Sequence, residues 1–186
     1  MRMSYILDTN VLISLHSRNF FMELGKSGLP VRWSSGIEAE FRRVWARRYP
    51  DMATRGPAML YLMRMAVPDW RAPESHRVLK EASLPDPDDV HVLAAAVGSG
   101  ASVIVTWNLR DFPPEILAGY GVVARTPDDV LRFLFDQDQD VFLAAAATMR
   151  ARLKNPAMTA QEWLAGLRSA RLTQLADRLA DFAERL

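Results

Sequence analysis

The chain has 186 residues, 49% hydrophobic and 24% charged, with a formal net charge of +1; this is the profile of one folded domain, or of one with an appendage, that buries roughly two-thirds of its unfolded surface without a staple. It has no cysteine, and its three histidines, His16, His76 and His91, match no zinc spacing, so disulfide frameworks, thiol catalysis and zinc ribbons are excluded. The longest apolar stretch, Val141 to Met149, falls far short of the roughly 20 residues a membrane-spanning helix needs, and the first ten residues carry Asp8 and no signal-like apolar run, so no membrane and a cytoplasmic location are expected.

Residues 4–8, SYILD, read as a short buried strand ending on an acid, and Val11, Leu12, Leu15, Phe20 and Leu24 give one helix that Gly25 ends. A strand running straight into a helix opens an α/β unit. A second helix covers about 37–49, with Ile37, Phe41, Val44 and Trp45 in one stripe, and a third, less regular, spans 54–65. Residues 84–114 hold the strongest pattern: Pro87 at a helix start, the apolar run Val90 to Val97, a Gly98-Ser99-Gly100 stop and a β-branched run over 101–106, hence helix, turn and buried strand. Val122-Val123 reads as another short strand, and Thr126 opens another helix. The fold class is therefore α/β, a parallel sheet flanked by helices over 1–136, followed by an all-helical C-terminal extension over 137–186. In that extension the pattern predicts helices at 139–153, 160–169 and 172–185, with a break at Asn155-Pro156 and a capping box from Thr159 to Glu162. Leu172, Leu175, Leu179 and Phe182 form an apolar face expected to dock on the chain's own core or on a partner helix.

Open parallel sheets bind ligands outside the carboxyl ends of their strands. Asp8 ends the first strand and Asp111 follows the strand ending at Thr106; Asp8 is either a helix cap or part of a metal site. Asp86, Asp88 and Asp89 also make a good helix start, and Thr126-Pro127-Asp128-Asp129 repeats that device where nothing else looks catalytic. On the helix at 37–49, Glu38 fits a capping box with Ser35, which leaves Glu40 as the functional candidate. Four carboxylates gathered from distant segments, with no cysteine or histidine expected to soften the site, suit a hard cation such as Mg²⁺ or Mn²⁺ and metal-assisted phosphodiester hydrolysis.

Charge is unevenly divided. Residues 18–80 carry a net +6, residues 81–141 a net −8 and residues 142–186 a net +3, and 20 of the 23 bases are arginine, whose planar fork suits phosphate. Arg42, Arg43, Arg47 and Arg48 share the helix of Glu40 and are candidates for holding RNA phosphates. Several of the remaining acids, Asp128, Asp129, Asp136, Asp138 and Asp140, read as helix caps and solvated surface.

Four segments in order, Leu7-Asp8-Thr9-Asn10-Val11-Leu12, Glu40-Phe41-Arg42-Arg43-Val44, Asp86 to Ala96 and Ile104 to Phe112, resemble the successive motifs of a PIN domain. The resemblance covers about residues 3–135 and is nearest to the VapC-type toxins of bacterial toxin–antitoxin pairs, with a helical extension like that of one subset. It implies a PIN-like parallel sheet and a metal-dependent endoribonuclease inhibited by a cognate antitoxin, and it suggests a homodimer. Carried over by position, it assigns the metal-binding and catalytic acids to Asp8, Glu40, Asp89 and Asp111 and supporting roles to Thr106 and Asn108; Asp86 is a candidate further ligand in place of an acid at 108, and Asn10 a further supporting candidate. Asn108 is a departure, since many relatives carry an acid there; it keeps open a reading as a PIN-like scaffold that binds RNA or protein without cutting. A phosphatase or receiver-like domain using Asp8 is a third reading, weakened by Asn10 where such sites carry a second aspartate.

Overall fold

Four short strands, the buried β1 (Tyr5–Leu7) and β3 (Val103–Val105) and the outer β2 (Val31–Arg32) and β4 (Val123–Arg125), form one parallel sheet ordered β2-β1-β3-β4. The computed structural model describes residues 3–154 and 157–186, so the expected break at Asn155-Pro156 lies outside the described residues. Both central strands, β1 and β3, are buried along their length, as parallel strands covered on two faces must be. Leu7 pairs with Val105, and this register sets Asp8 and Thr106 side by side where the two strands end.

Helices α1 (Thr9–Ile13), α2 (Leu15–Lys26), α3 (Ser35–Arg48), α4 (Arg55–Ala66), α5 (His76–Glu81) and α6 (Val90–Ser99) precede β3 or link the first strands. Then come α7 (Pro114–Leu117), α8 (Pro127–Gln137), α9 (Gln139–Ala151), α10 (Ala160–Ser169) and α11 (Thr173–Ala180). The single helix expected from Val11 to Leu24 is two. The chain leaves helical geometry at Ser14, and buried Arg18 donates to the carbonyl of Leu12 at 2.8 Å, satisfying an end that has no further turn. Gly25 does not end α2, which runs on to Lys26. Three elements escape the sequence pattern, β2, α5 and α7, because two, six and four residues are too few to establish a period. The last helix is shorter than expected, ending at Ala180 before a 3₁₀ turn at Ala183–Arg185.

Of the two glycines around the end of α6, Gly100 makes the stop, with φ at +66°. Gly98 lies inside the helix, where a Cβ would stand 2.2 Å from the Pro73 carbonyl oxygen; it permits the strand-like segment at 72–75 to lie against α6.

The C-terminal helices share the core of the sheet. Phe142 stacks on Phe20 with ring centres 5.3 Å apart, Trp163 lies 5.9 Å from Phe20, and Phe135 meets Phe142 and Phe182 edge-on at 5.6 and 5.7 Å. Leu172, Leu175 and Leu179 are fully buried, α11 packing against α8 and α10, so the apolar face of the last helix docks on this chain itself. Asp128 is not solvated surface: it is buried, and its two carboxylate oxygens accept from the backbone N–H groups of Gln174 and Leu175 at 3.0 Å each, capping a helix distant in sequence.

Candidate active site

Asp8 is 3% exposed. Its backbone carbonyl begins α1, yet its side chain makes no cap; the carboxylate accepts instead from the Thr106 hydroxyl at 2.7 Å and from the Asn10 amide. The Asn10 amide also donates to Thr106 Oγ1 at 2.9 Å, and Asn10 Oδ1 accepts from the Trp107 N–H at 3.0 Å. Thr106 Oγ1 further accepts from the Asn108 N–H at 3.0 Å. Asn10 and Thr106 thus lash the ends of β1 and β3 together around one buried carboxylate.

One oxygen each of Asp86, Asp89 and Asp111 fall within 4.8 Å of one another, the only such group among the described residues. Asp86 accepts from the Asp88 N–H at 2.9 Å and so fixes the 3₁₀ turn Pro87–Asp89 that leads into α6. Asp111 accepts from the Asn108 side-chain amide. Asn108 therefore orients an acid instead of supplying one, which accounts for a neutral residue at this place. Asp8 and Glu40 stand beside the trio without belonging to it. Burial pushes the Asp89 carboxyl up to about 7, with the charges of Asp8, Asp86, Glu40 and Asp111 adding to the effect. Burial likewise raises Asp8 to about 6 against the lowering hydrogen bond from Thr106, and the charge of Glu40 raises it further.

Glu40 reaches this group from α3. Its carboxylate accepts from the Thr9 hydroxyl at 2.5 Å and lies 3.4 Å from His91 Nε2, a contact for charge attraction more than for a well-formed hydrogen bond. Burial would raise Glu40, but His91 and Thr9 outweigh it and hold the carboxyl below its ordinary value. His91 is raised in turn: burial works against its cationic form, and the Glu40 carboxylate and the Asp88 carbonyl, 2.6 Å from Nδ1, more than offset that. Sequence reasoning assigned no role to Thr9 or His91. Their signal was position, Thr9 between two site residues and His91 two residues after Asp89.

Glu38 does not form the expected capping box with Ser35. The cap is Ser34, whose hydroxyl accepts from the Ile37 N–H at 3.2 Å. Glu38 is 2% exposed and accepts from Trp33 Nε1 at 3.2 Å and from two nitrogens of Arg64, with Arg42 at 3.4 Å. At about 100° per residue the four candidate arginines separate. Arg43 and Arg47, three and seven residues on, share the face of Glu40, and the charge of Arg43 acts on it, whereas Arg42 faces the other way to Glu38 and Arg48 leans over the Tyr49 ring at 5.6 Å. A surface hollow of about 580 Å³ between β4 and α8 contains none of Asp8, Glu40, Asp86, Asp89 and Asp111.

These features define a class: a parallel α/β protein whose strand ends carry a cluster of carboxylates, with a histidine beside one of them. Residues 4–110, more than half of the chain, match the family described as PIN domain, and the chain belongs to that family. Residues 127–181 match the family described as VapC50 C-terminal domain. Over 49 residues the chain is 55% identical to the protein described as "Putative ribonuclease VapC50" of Mycobacterium tuberculosis. That segment is 26% of this chain and spans about a quarter, 27%, of the relative. No solved structure matches the chain.

Proposed function

We propose that this protein is a metal-dependent endoribonuclease of toxin type, with Asp8, Glu40, Asp89 and Asp111 holding Mg²⁺ or Mn²⁺ and Asp86 as a further ligand. The observation that carries the reading is the close group of Asp86, Asp89 and Asp111 at the strand ends with Asp8 and Glu40 beside it, where burial first and neighbouring negative charge second raise Asp8 to about 6 and Asp89 to about 7. Such crowding is costly unless a cation relieves it, and an all-oxygen set suits a hard divalent ion. Once bound, the ion supplies an activated water and neutralises charge on the phosphoryl group. The chain's own residues do the rest: Asn10 and Thr106 fix Asp8, Asn108 fixes Asp111, and Thr9 with His91 fixes Glu40.

Arg43 and Arg47, exposed beside Glu40, are proposed to hold RNA phosphates. The division into a nuclease unit over 1–136 and an extension over 137–186, inhibition by a cognate antitoxin, a homodimeric state and a cytoplasmic location belong to the same reading. No helix among the described residues is long and apolar enough to cross a membrane.

The test is cleavage of RNA by wild type and Asp8→Asn, each with Mn²⁺ and with chelator. Wild type with metal is expected to cut and the other three arms to be nearly inert; equal activity in wild type and variant sinks the assignment. The scaffold reading is separated by calorimetric titration with Mn²⁺, since a scaffold gives no heat of binding.

A further inference from the structure

The turn between α10 and α11 contains Arg171, the one non-glycine residue among those described with a positive φ, +68°. Its setting is a helix stop of the Schellman kind: the Arg171 N–H donates to the Arg168 carbonyl and the Leu172 N–H to the Leu167 carbonyl, both at 3.0 Å, with Leu167 and Leu172 buried together. Glycine is the residue this position favours, because a Cβ in the left-handed region is strained. An arginine there is costly for the backbone, so its value lies in the side chain. That side chain lays its guanidinium 4.5 Å from the centre of the Trp107 ring. Trp107 follows Thr106 directly, and its backbone N–H holds Asn10, the partner of Asp8.

The other bases of the C-terminal helices are occupied. Arg152, Arg168, Arg178 and Arg185 pair with Glu23, Asp177, Asp136 and Asp140, and Arg150 donates to the carbonyls of Met158 and Leu186. Of the bases in the described part of 142–186 that leaves Lys154 and Arg171, both exposed, and Arg171 is the one held on Trp107, next in the chain to Thr106.

We propose that Arg171 is a substrate-binding residue, brought to the PIN site by the C-terminal helices, which grips a backbone phosphate of single-stranded RNA close to the cut while the Trp107 ring holds its guanidinium in place. This rests on the nuclease reading. It assigns the extension a share in substrate binding. Five donors in a planar fork suit a phosphate, and an indole beneath the guanidinium fixes its plane without neutralising its charge.

Arg171→Gly is an informative variant because it removes the side chain and relieves the backbone at once. In the Asp8→Asn background, where the probe is not consumed, binding of a fluorescent single-stranded RNA is measured with and without Arg171→Gly over a range of salt. The expected result is affinity lower by about tenfold and a salt slope shallower by about 0.7, one phosphate contact's worth on a single strand, with a melting temperature equal or higher. Arg171→Lys is expected to restore the slope and part of the affinity. Unchanged affinity and slope, or weaker binding with an unchanged slope and a lower melting temperature, overturns the proposal. Cleavage of RNA by the wild-type protein in Mn²⁺ separates the two readings: a wild type that cuts alongside an Arg171→Gly variant that binds equally well overturns the Arg171 assignment alone, and a wild type that neither binds nor cuts overturns both.

Discussion

At the scale of the residue, the buried carboxylates set a pH dependence whose sign follows from their shifts. Asp8 rises from 3.8 to about 6 and Asp89 from 3.8 to about 7, so between those limits the folded chain binds more protons than the unfolded one and loses stability as pH rises. His91 acts in the same direction, since its raised value means that the charged, Glu40-paired form stabilises the fold below its ordinary range and the benefit disappears above. His16, which burial lowers, acts in the opposite direction over this range, but the two carboxyls and His91 outweigh it, so metal-free protein is expected to melt about 3 °C higher at pH 5 than at pH 8, the effect of about 1 kcal/mol in a chain of this size. Mn²⁺ should raise the melting temperature more at pH 8 than at pH 5, because protons and cation compete for the same oxygens. Asp8→Asn removes one of the crowded charges and should reduce both differences; thermal melts of the two proteins with and without ion check this, and a wild-type melting temperature indifferent to pH and metal counts against it.

At the scale of the element, α3 shows two glutamates two residues apart with opposite duties. Glu38 points inward to Trp33 and Arg64, Glu40 outward to Thr9 and His91. Glu38→Ala strands the buried Trp33 N–H and is expected to cost about 2 kcal/mol, less than a fully buried pair because the Arg64 guanidinium is partly solvated. The fraction that folds should cut RNA at the wild-type rate. Glu40→Ala should do the reverse, abolishing cleavage with little loss of stability. Melting curves and cleavage rates for both variants decide the matter, and the opposite pattern would reverse the two roles. The sequence separates Glu38 from Glu40 by a cap at Ser35 that the structure does not make, the cap being Ser34. The true reason is tertiary: Arg64, from α4, neutralises Glu38, and no local pattern places a residue 26 positions away against it.

At the scale of the molecule, the aromatic contacts of Phe20 with Phe142 and Trp163 and of Phe135 with Phe182 make the C-terminal helices part of the core that carries the sheet. Truncation after Gln137 exposes Phe20 and Phe135 and leaves Asp128 buried against nothing; the product is expected to be insoluble or to lose its cooperative melt, and a soluble, cooperatively folding 1–137 fragment would refute this. The parallel α/β class, the strands β1, β3 and β4, the longer helices after α2, the capping box at Thr159 and the place of Asp8 at a strand end were determined by sequence, because apolar period, caps and strand ends are local signals, whereas β2, α5, α7 and the break at Ser14 were not. Tertiary structure alone decided that Asp86 joins Asp89 and Asp111, that Asn108 serves Asp111, that Asp128 caps α11 and that Arg171 meets Trp107. Each of these depends on which chain segments the sheet register and the shared core bring within a few ångströms, and a one-dimensional pattern carries no record of that distance.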